Sequence, residues 1–334
     1  MNYSRRQFNR LAMAGLSTAA ATSFSPINAF AAQKPNSKFG GVQIGLNTGF
    51  SYHNMPNDAG TVLKYLVRDG INAIEMQTPT HEDWAGAPPA PPRPYPERVG
   101  GEQVGAPPRP PLTAEQQAAR KAYLEAMTRW RTTMPVSKYA ELRTMYNDAG
   151  ITFYAFKLPL EMHMPDAEFD YAFTAAKTLG CNQLTMEMPD GNLALTARVG
   201  KFAEKYKLPV GYHAHLQAKP TTWNEAMAQS AYNCINLDIG HYVAAGNHDT
   251  LEFIRKNHSR ITSLHIKDRK LPEHGGQNVP WGEGDTPIKE VLQLVKREGY
   301  KFPCTIEMEY APPEGSDSEK EILKSLAYAK AALA

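Results

Sequence analysis

The sequence predicts a (β/α)8 barrel, a TIM barrel formed as a single domain, and three observations predict it. Short apolar runs alternate with amphipathic stretches about eight times along the chain, the pattern of parallel strands each followed by a helix. No glycine-rich phosphate loop follows the first run, which argues against a doubly wound open sheet. The later runs carry an apolar row and a polar row at period two, so one face of each is suited to packing and the other is not.

The first 31 residues stand outside this rhythm. They begin with Arg5, Arg6 and Phe8, continue through a weakly apolar, alanine-rich segment, and offer a small-residue cleavage site at Ala29–Ala31. That order is expected of a twin-arginine export signal, and it implies a periplasmic protein with no membrane attachment once the signal is cut. Such export carries folded proteins, so a metal acquired in the cytoplasm can leave with the chain. Residues 1–31 hold Arg5, Arg6 and Arg10 and no acid, so their removal lowers the formal charge of +2 by three. A chain so close to neutrality has no general attraction for nucleic acid. No apolar run is long enough to span a bilayer. Cys181, Cys234 and Cys304 fall in apolar runs and are expected as buried small hydrophobes.

From residue 40 to 334 the expected strands are VQIGLNT (42–48), AIEMQT (73–78), TFYAFKLP (152–159), QLTMEMP (183–189), VGYHAH (210–215), CINLDIGH (234–241), ITSLHIKD (261–268) and CTIEMEY (304–310). The stretches between them read as helices, several ending in glycine as helix C-termini do. "DTP" at 285–287 reads as an N-cap with proline at the first helical position. A Pro- and Gly-dense segment after the second strand, followed by a helix-like piece, forms an insertion over 79–134. Stiff, extended proline-rich chain on the C-terminal side of a barrel strand is expected to wall the site.

Parity along the later strands places Glu75 and Gln77, Thr185 and Glu187, Asn236 and Asp238, Ser263, His265 and Lys267, and Glu307 and Glu309 on the polar faces. The apolar faces must pack against helices, so the polar faces point to the barrel axis. Carboxylates and imidazoles buried there are costly unless paired or bound to a cation. His213, Asp238, His265 and Glu307, from the fifth to eighth strands, form the expected cage for one divalent ion. Mixed imidazole and carboxylate donors suit Mn, Zn, Co or Fe better than Ca. Glu187 is either a fifth ligand or a free carboxylate beside the metal. His215 and Glu309, one step nearer the rim, are expected as substrate contacts or supports of the ligands, and Trp281 in the Gly-flanked WGEGD loop as a flat surface for a sugar ring.

LDIGHY, LHIKDRK, WGEGD and TIEMEY, in that order, resemble the xylose-isomerase-like barrel superfamily, the sugar phosphate isomerase/epimerase group, from about Val42 to the C-terminus. The resemblance implies one divalent metal held by Asp238, His265 and Glu307. It also implies substrate contact by His241, three residues after the aspartate. Where epimerases of this group carry a glutamate that binds metal and moves a proton, this chain has His213, so that either His213 itself or Glu187 on the preceding strand takes the glutamate's place.

These residues support proton abstraction beside a carbonyl, with Glu187 or Glu307 moving the proton and Lys267 stabilising developing negative charge. The strand ends offer no evident phosphate cradle, so the expected reaction is isomerisation or epimerisation of a non-phosphorylated sugar. The alternative is β-elimination from a 3-keto-glycoside, a lyase reaction. A carbohydrate-binding barrel without catalysis is the reading from another class. An endonuclease of the same barrel type needs more His and Asp ligands than the strands supply. The expected partner is a small carbohydrate, with homo-oligomers possible as in relatives.

Overall fold

Eight parallel strands close into a ring in the computed structural model, which describes residues 34–52, 54–95, 107, 109–189 and 191–334. The expected export signal and the middle of the proline-rich insertion lie outside the described residues. The strands are β1 (Val42–Asn47), β2 (Ala73–Gln77), β3 (Thr152–Lys157), β4 (Gln183–Glu187), β5 (Val210–His213), β6 (Asn233–Asp238), β7 (Ile261–Ile266) and β8 (Cys304–Ile306). Each pairs with its sequence neighbour, and β8 returns to β1 through Cys304↔Ile44 and Ile306↔Leu46, so the ring has no open edge. Every expected run contains one strand. Pairing stops earlier than expected at the C-terminal ends, which leaves His215, Lys267, Glu307 and Glu309 just beyond the last paired residues.

The two rows of each strand separate as parity requires. Ile44, Leu46, Ile74, Met76, Leu184, Met186, Ile235, Leu237, Leu264, Ile266 and Ile306 are buried in the continuous apolar core. Inside the ring a small apolar cluster of Ala73, Tyr154 and Ala155 sits beside buried polar residues that bond to one another. Thr185 Oγ1 donates to Glu75 Oε1 at 2.6 Å, Asn236 Nδ2 to Ser263 Oγ at 2.6 Å, and Ser263 Oγ to Gln183 Oε1 at 3.2 Å. Such a network is tolerable because each donor finds an acceptor.

β3 breaks the parity. Against β2 its register jumps from Ile74↔Phe153 to Glu75↔Ala155, so Tyr154 is an extra residue in the ladder. The bulge lets Tyr154 bond Thr305 on β8 while Phe156 packs outward on His81. It also brings Lys157 to the mouth of the ring, where its ammonium meets Glu187 of β4.

The helices form where the amphipathic stretches lie. Ala59–Asp69, Asp166–Leu179 and Ile288–Glu298 end on Gly70, Gly180 and Gly299, each left-handed. The DTP reading does not hold. The last of these helices starts after Pro287 with no side-chain cap, because the Asp285 carboxylate instead accepts from Leu271 N–H and meets His274 Nδ1, both at 2.8 Å. In the insertion, Ala114–Thr133 is helical, with Thr113 and Gln116 forming a reciprocal capping box. The three cysteines are free and buried, as expected.

Candidate functional site

His213 ends β5, Asp238 ends β6, His265 is the penultimate residue of β7, and Glu307 follows β8 directly. The ladder pairs Asp238 with His265 and sets His213 opposite Asn236, so these side chains emerge at nearly one level of the ring. One donor atom from each of the four lies within 4.8 Å of the others, and all four residues are buried. This is the cage that parity predicts.

The neighbours of each donor fix which atom faces the centre. Asn236 commits its amide to Ser263, so its Oδ1 accepts from His213 Nδ1–H at 2.8 Å and His213 Nε2 is left as the free nitrogen. Glu75 Oε2 takes His265 Nε2–H at 2.7 Å, which turns His265 Nδ1 toward Glu307 Oε2 at 2.8 Å. Asp238 Oδ1 accepts from the His241 amide at 2.7 Å, leaving Oδ2 directed inward. Asp238 Oδ2, His265 Nδ1 and Glu307 Oε2 are buried without a well-directed hydrogen bond. These three inward-facing atoms, each on a residue oriented from behind and paired only with Lys267 or with one another, have the chemistry that fits a divalent cation.

Charge in the cluster is strongly coupled. Burial lifts Asp238 to about 6 against the pull of the Lys267 ammonium. Glu307 goes the other way: Lys267 and His265 overcome burial and hold it well below the usual carboxylate range. Burial disfavours charge on His265, but Glu307 and Glu75 on its two nitrogens prevail and raise it to about 10. A cation taking Nδ1 must therefore displace a proton.

Lys267 faces inward, as its parity predicts. Its ammonium lies 3.0 Å from Asp238 Oδ2, 3.0 Å from Glu307 Oε2 and 2.7 Å from Glu309 Oε2. Gly240 of the LDIGHY motif makes this possible, since a Cβ there would stand 2.4 Å from Lys267 Cγ. Glu309 is buried beside Lys267, so it is part of the cluster and not a solvated rim group. His241 is buried between two cations, with Arg269 Nη1 donating to Nδ1 at 2.7 Å and Lys267 Nζ 3.2 Å from Nε2.

Two of the expected residues stand outside the cage. Glu187 is not among the cage donors. Its side chain is 46% exposed at the mouth, with Oε1 held by Lys157 at 2.7 Å and Oε2 by His215 Nε2 at 3.1 Å. It is the free carboxylate of the two possibilities, ionised because Lys157 and the imidazoles of His213 and His215 outweigh burial. Trp281 does not stand with the cage residues. It lines a separate pocket of about 170 Å³ with Tyr310 and Tyr328, its ring perpendicular to that of Tyr328 at 5.9 Å. The WGEGD loop is wrapped around Asp268, whose carboxylate accepts from the amides of Gly282, Gly284 and Thr286. A Cβ at Gly284 would collide with that carboxylate at 2.1 Å.

His215 stacks on His241 at 4.6 Å and 11°. With His213 these two form a second donor set within 4.8 Å. His213 has one free nitrogen, so it serves one set or the other. Sequence reasoning missed Glu75 and Asn236 as orienting groups, Lys157 as the partner of Glu187, and Arg269 beside His241. Glu75 was legible by parity; Lys157 was hidden by the bulge.

The chain belongs to the xylose isomerase-like TIM barrel family, whose model matches residues 117–332. Solved structures share the fold. A sugar phosphate isomerase/epimerase from Parabacteroides distasonis is 16% identical, with TM-score 0.55 over 95% of this chain and 100% of that one. The probable 3-DHS dehydratase AsbF from Bacillus anthracis is 12% identical, with TM-score 0.58 over 86% and 98%. The IOLI protein with a bound zinc atom is 13% identical, with TM-score 0.56 over 87% and 98%. At these identities the likeness shows the fold alone. No curated protein matches the chain.

Proposed function

We propose that this protein is a divalent-metal-dependent enzyme that removes a proton beside the carbonyl of a non-phosphorylated sugar or sugar derivative, and so isomerises or epimerises it. The observation that carries this reading is the separation of roles at the mouth of the ring. Four buried donors converge on one point, while Glu187 stands apart, half-exposed and ionised. A metal in the cage supplies Lewis acidity toward a carbonyl and the adjacent hydroxyl. Glu187 takes the proton; Lys157 and His215 on its two oxygens hold its orientation. Lys267 brings positive charge to the oxygen that gains electron density, and the His215–His241 stack borders the sugar. The family, and neighbours named as a sugar phosphate isomerase/epimerase and as a zinc-bound protein, support the reading. The arginine pair at the N-terminus supports a periplasmic setting.

The same proton abstraction leads to β-elimination when the adjacent carbon bears a leaving group, as in a 3-keto-glycoside. His215, bonded to Glu187 and partly exposed, is placed to pass a proton to that group. A neighbour named as a probable dehydratase supports this second reading. The test is incubation of the metal-loaded protein with ketoses and 3-keto-glucosides in D₂O. Deuterium at carbon without cleavage supports the isomerase or epimerase; release of the aglycone supports the lyase. Binding across the panel with neither outcome rejects both and leaves a carbohydrate-binding barrel.

A further inference from the structure

We propose that Lys267 is an internal competitor for the metal cage, and that Glu309 is the carboxylate onto which its ammonium withdraws when a divalent ion binds. The inference rests on the reading of His213, Asp238, His265 and Glu307 as a metal cage. It concerns what sets that cage's affinity. Lys267 Nζ lies 3.0 Å from Asp238 Oδ2 and 3.0 Å from Glu307 Oε2. Those are the two oxygens whose other orientations are closed off. Asp238 Oδ1 is taken by the His241 amide and Glu307 Oε1 by Asn47 Nδ2 at 2.9 Å. The ammonium and a metal ion therefore seek the same two atoms, and two positive charges on one pair of oxygens repel.

The ammonium cannot escape to water. Lys267 is 2% exposed, and Gly240 lies so close to its stem that even a methyl group there would collide. On one side His241 is already bonded to Arg269 and offers no negative charge. On the other is Glu309, whose Oε2 is the nearest contact of Nζ at 2.7 Å and which is outside the four-donor cage. Withdrawal onto Glu309 keeps Lys267 paired and frees Asp238 and Glu307 for the ion. The arrangement disfavours weakly charged cations, which cannot repay displacement of the ammonium. It also keeps Lys267 beside the ion, where the proposed chemistry uses it. Glu309 is thus a positioning residue acting through Lys267.

The test is calorimetric titration of chelator-stripped full-length protein with Mn²⁺, beside the rise in Tm that Mn²⁺ causes. Lys267→Met is expected to bind Mn²⁺ about tenfold more tightly or better, with a larger rise in Tm because its stripped form lacks the internal cation. Lys267→Gln, neutral and polar, gives the same direction and serves if the methionine variant does not fold. Glu309→Gln is expected to bind several-fold more weakly in the wild-type background and to have no effect beside Lys267→Gln. Unchanged or weaker binding in both Lys267 variants overturns the inference, and so does an equal Glu309→Gln effect in both backgrounds. The cage itself is judged separately. If wild type binds no Mn²⁺, or His265→Ala binds as well as wild type, the metal reading fails and this inference fails with it.

Discussion

Two buried charge clusters in this chain look alike in composition and differ in bookkeeping of atoms. One anchors the insertion. Arg131 of helix Ala114–Thr133 forks onto Glu82, Nε to Oε1 at 2.8 Å and Nη2 to Oε2 at 3.0 Å, and its Nη1 reaches Glu168 Oε2 at 3.0 Å. Thr128 closes on the other Glu168 oxygen, and Tyr171 donates to Glu82 at 3.0 Å. None of these carboxylate or guanidinium atoms is left over. The other cluster lies at the mouth of the ring, where Glu75, Asp238, Glu307 and Glu309 gather around one lysine and one imidazole. There Asp238 Oδ2, Glu307 Oε2, Glu309 Oε2 and His265 Nδ1 lack well-directed partners. A cluster that satisfies itself is a clamp. The mouth cluster instead crowds three carboxylate oxygens onto one ammonium without well-directed hydrogen bonds, which leaves acceptor capacity that side chains do not fill.

Substitutions sharpen that contrast, and the largest effect is expected at the ring. Glu187→Gln removes the proposed base but no cage donor, so turnover is expected to fall by about 10²–10⁴ with metal content unchanged. Elemental analysis beside a steady-state assay checks both halves. His265→Ala is expected to lose most of the bound metal, because one donor of four is gone. The clamp responds in stability instead. Arg131→Met strands Glu82 and Glu168 in a buried setting and is expected to cost about 3–5 kcal/mol in denaturant unfolding, with metal content retained. If Arg131→Met instead costs nothing, the insertion does not depend on this clamp. Next in size comes Glu75→Gln. It leaves the cage donors in place but no longer holds His265 in the required tautomer, and metal affinity is expected to drop about 10–100-fold.

The difference between the clusters also marks what the sequence can reveal. The ring and its cage were legible because a strand has a rigid period of two. Parity alone sends His213, Asp238, His265 and Glu307 inward, and the pairing of Asp238 with His265 then levels them. Parity failed where the ladder itself is irregular. The extra residue Tyr154 in β3 shifts the row that carries Lys157, and no local pattern in TFYAFKLP announces that bulge. The position of Trp281 outside the cage and the failure of the DTP triplet have another reason. Asp268 and Asp285 were free to be spent elsewhere: Asp268 holds the amides of the WGEGD loop, and Asp285 holds Leu271 and His274. The Glu82–Arg131–Glu168 clamp joins residues far apart in sequence, and none of the three helices carries a signal that names its partners.

One residue beside the clamp does not share its completeness. His81 is fully buried against Phe156 at 4.3 Å, and both ring nitrogens lack a well-directed hydrogen bond. Burial pushes His81 down to about 4 from its ordinary value of 6.5, with the Arg131 charge adding to it and Glu82 and the Gln77 backbone opposing it. The folded state therefore prefers the neutral ring more strongly than the unfolded chain does. A depressed pKa gives stability that is complete above about 6.5 and is lost progressively as the pH falls toward 4. The expected loss is about 1 kcal/mol at pH 6 and about 2 kcal/mol at pH 5. His81→Phe keeps an aromatic ring in the pocket and removes the titration, so unfolding curves of the two proteins should converge at pH 7 and separate below 6, with wild type losing more. Parallel curves over that range would mean that His81 finds a partner for its proton, and the clamp would then have the same kind of unfilled valence as the ring.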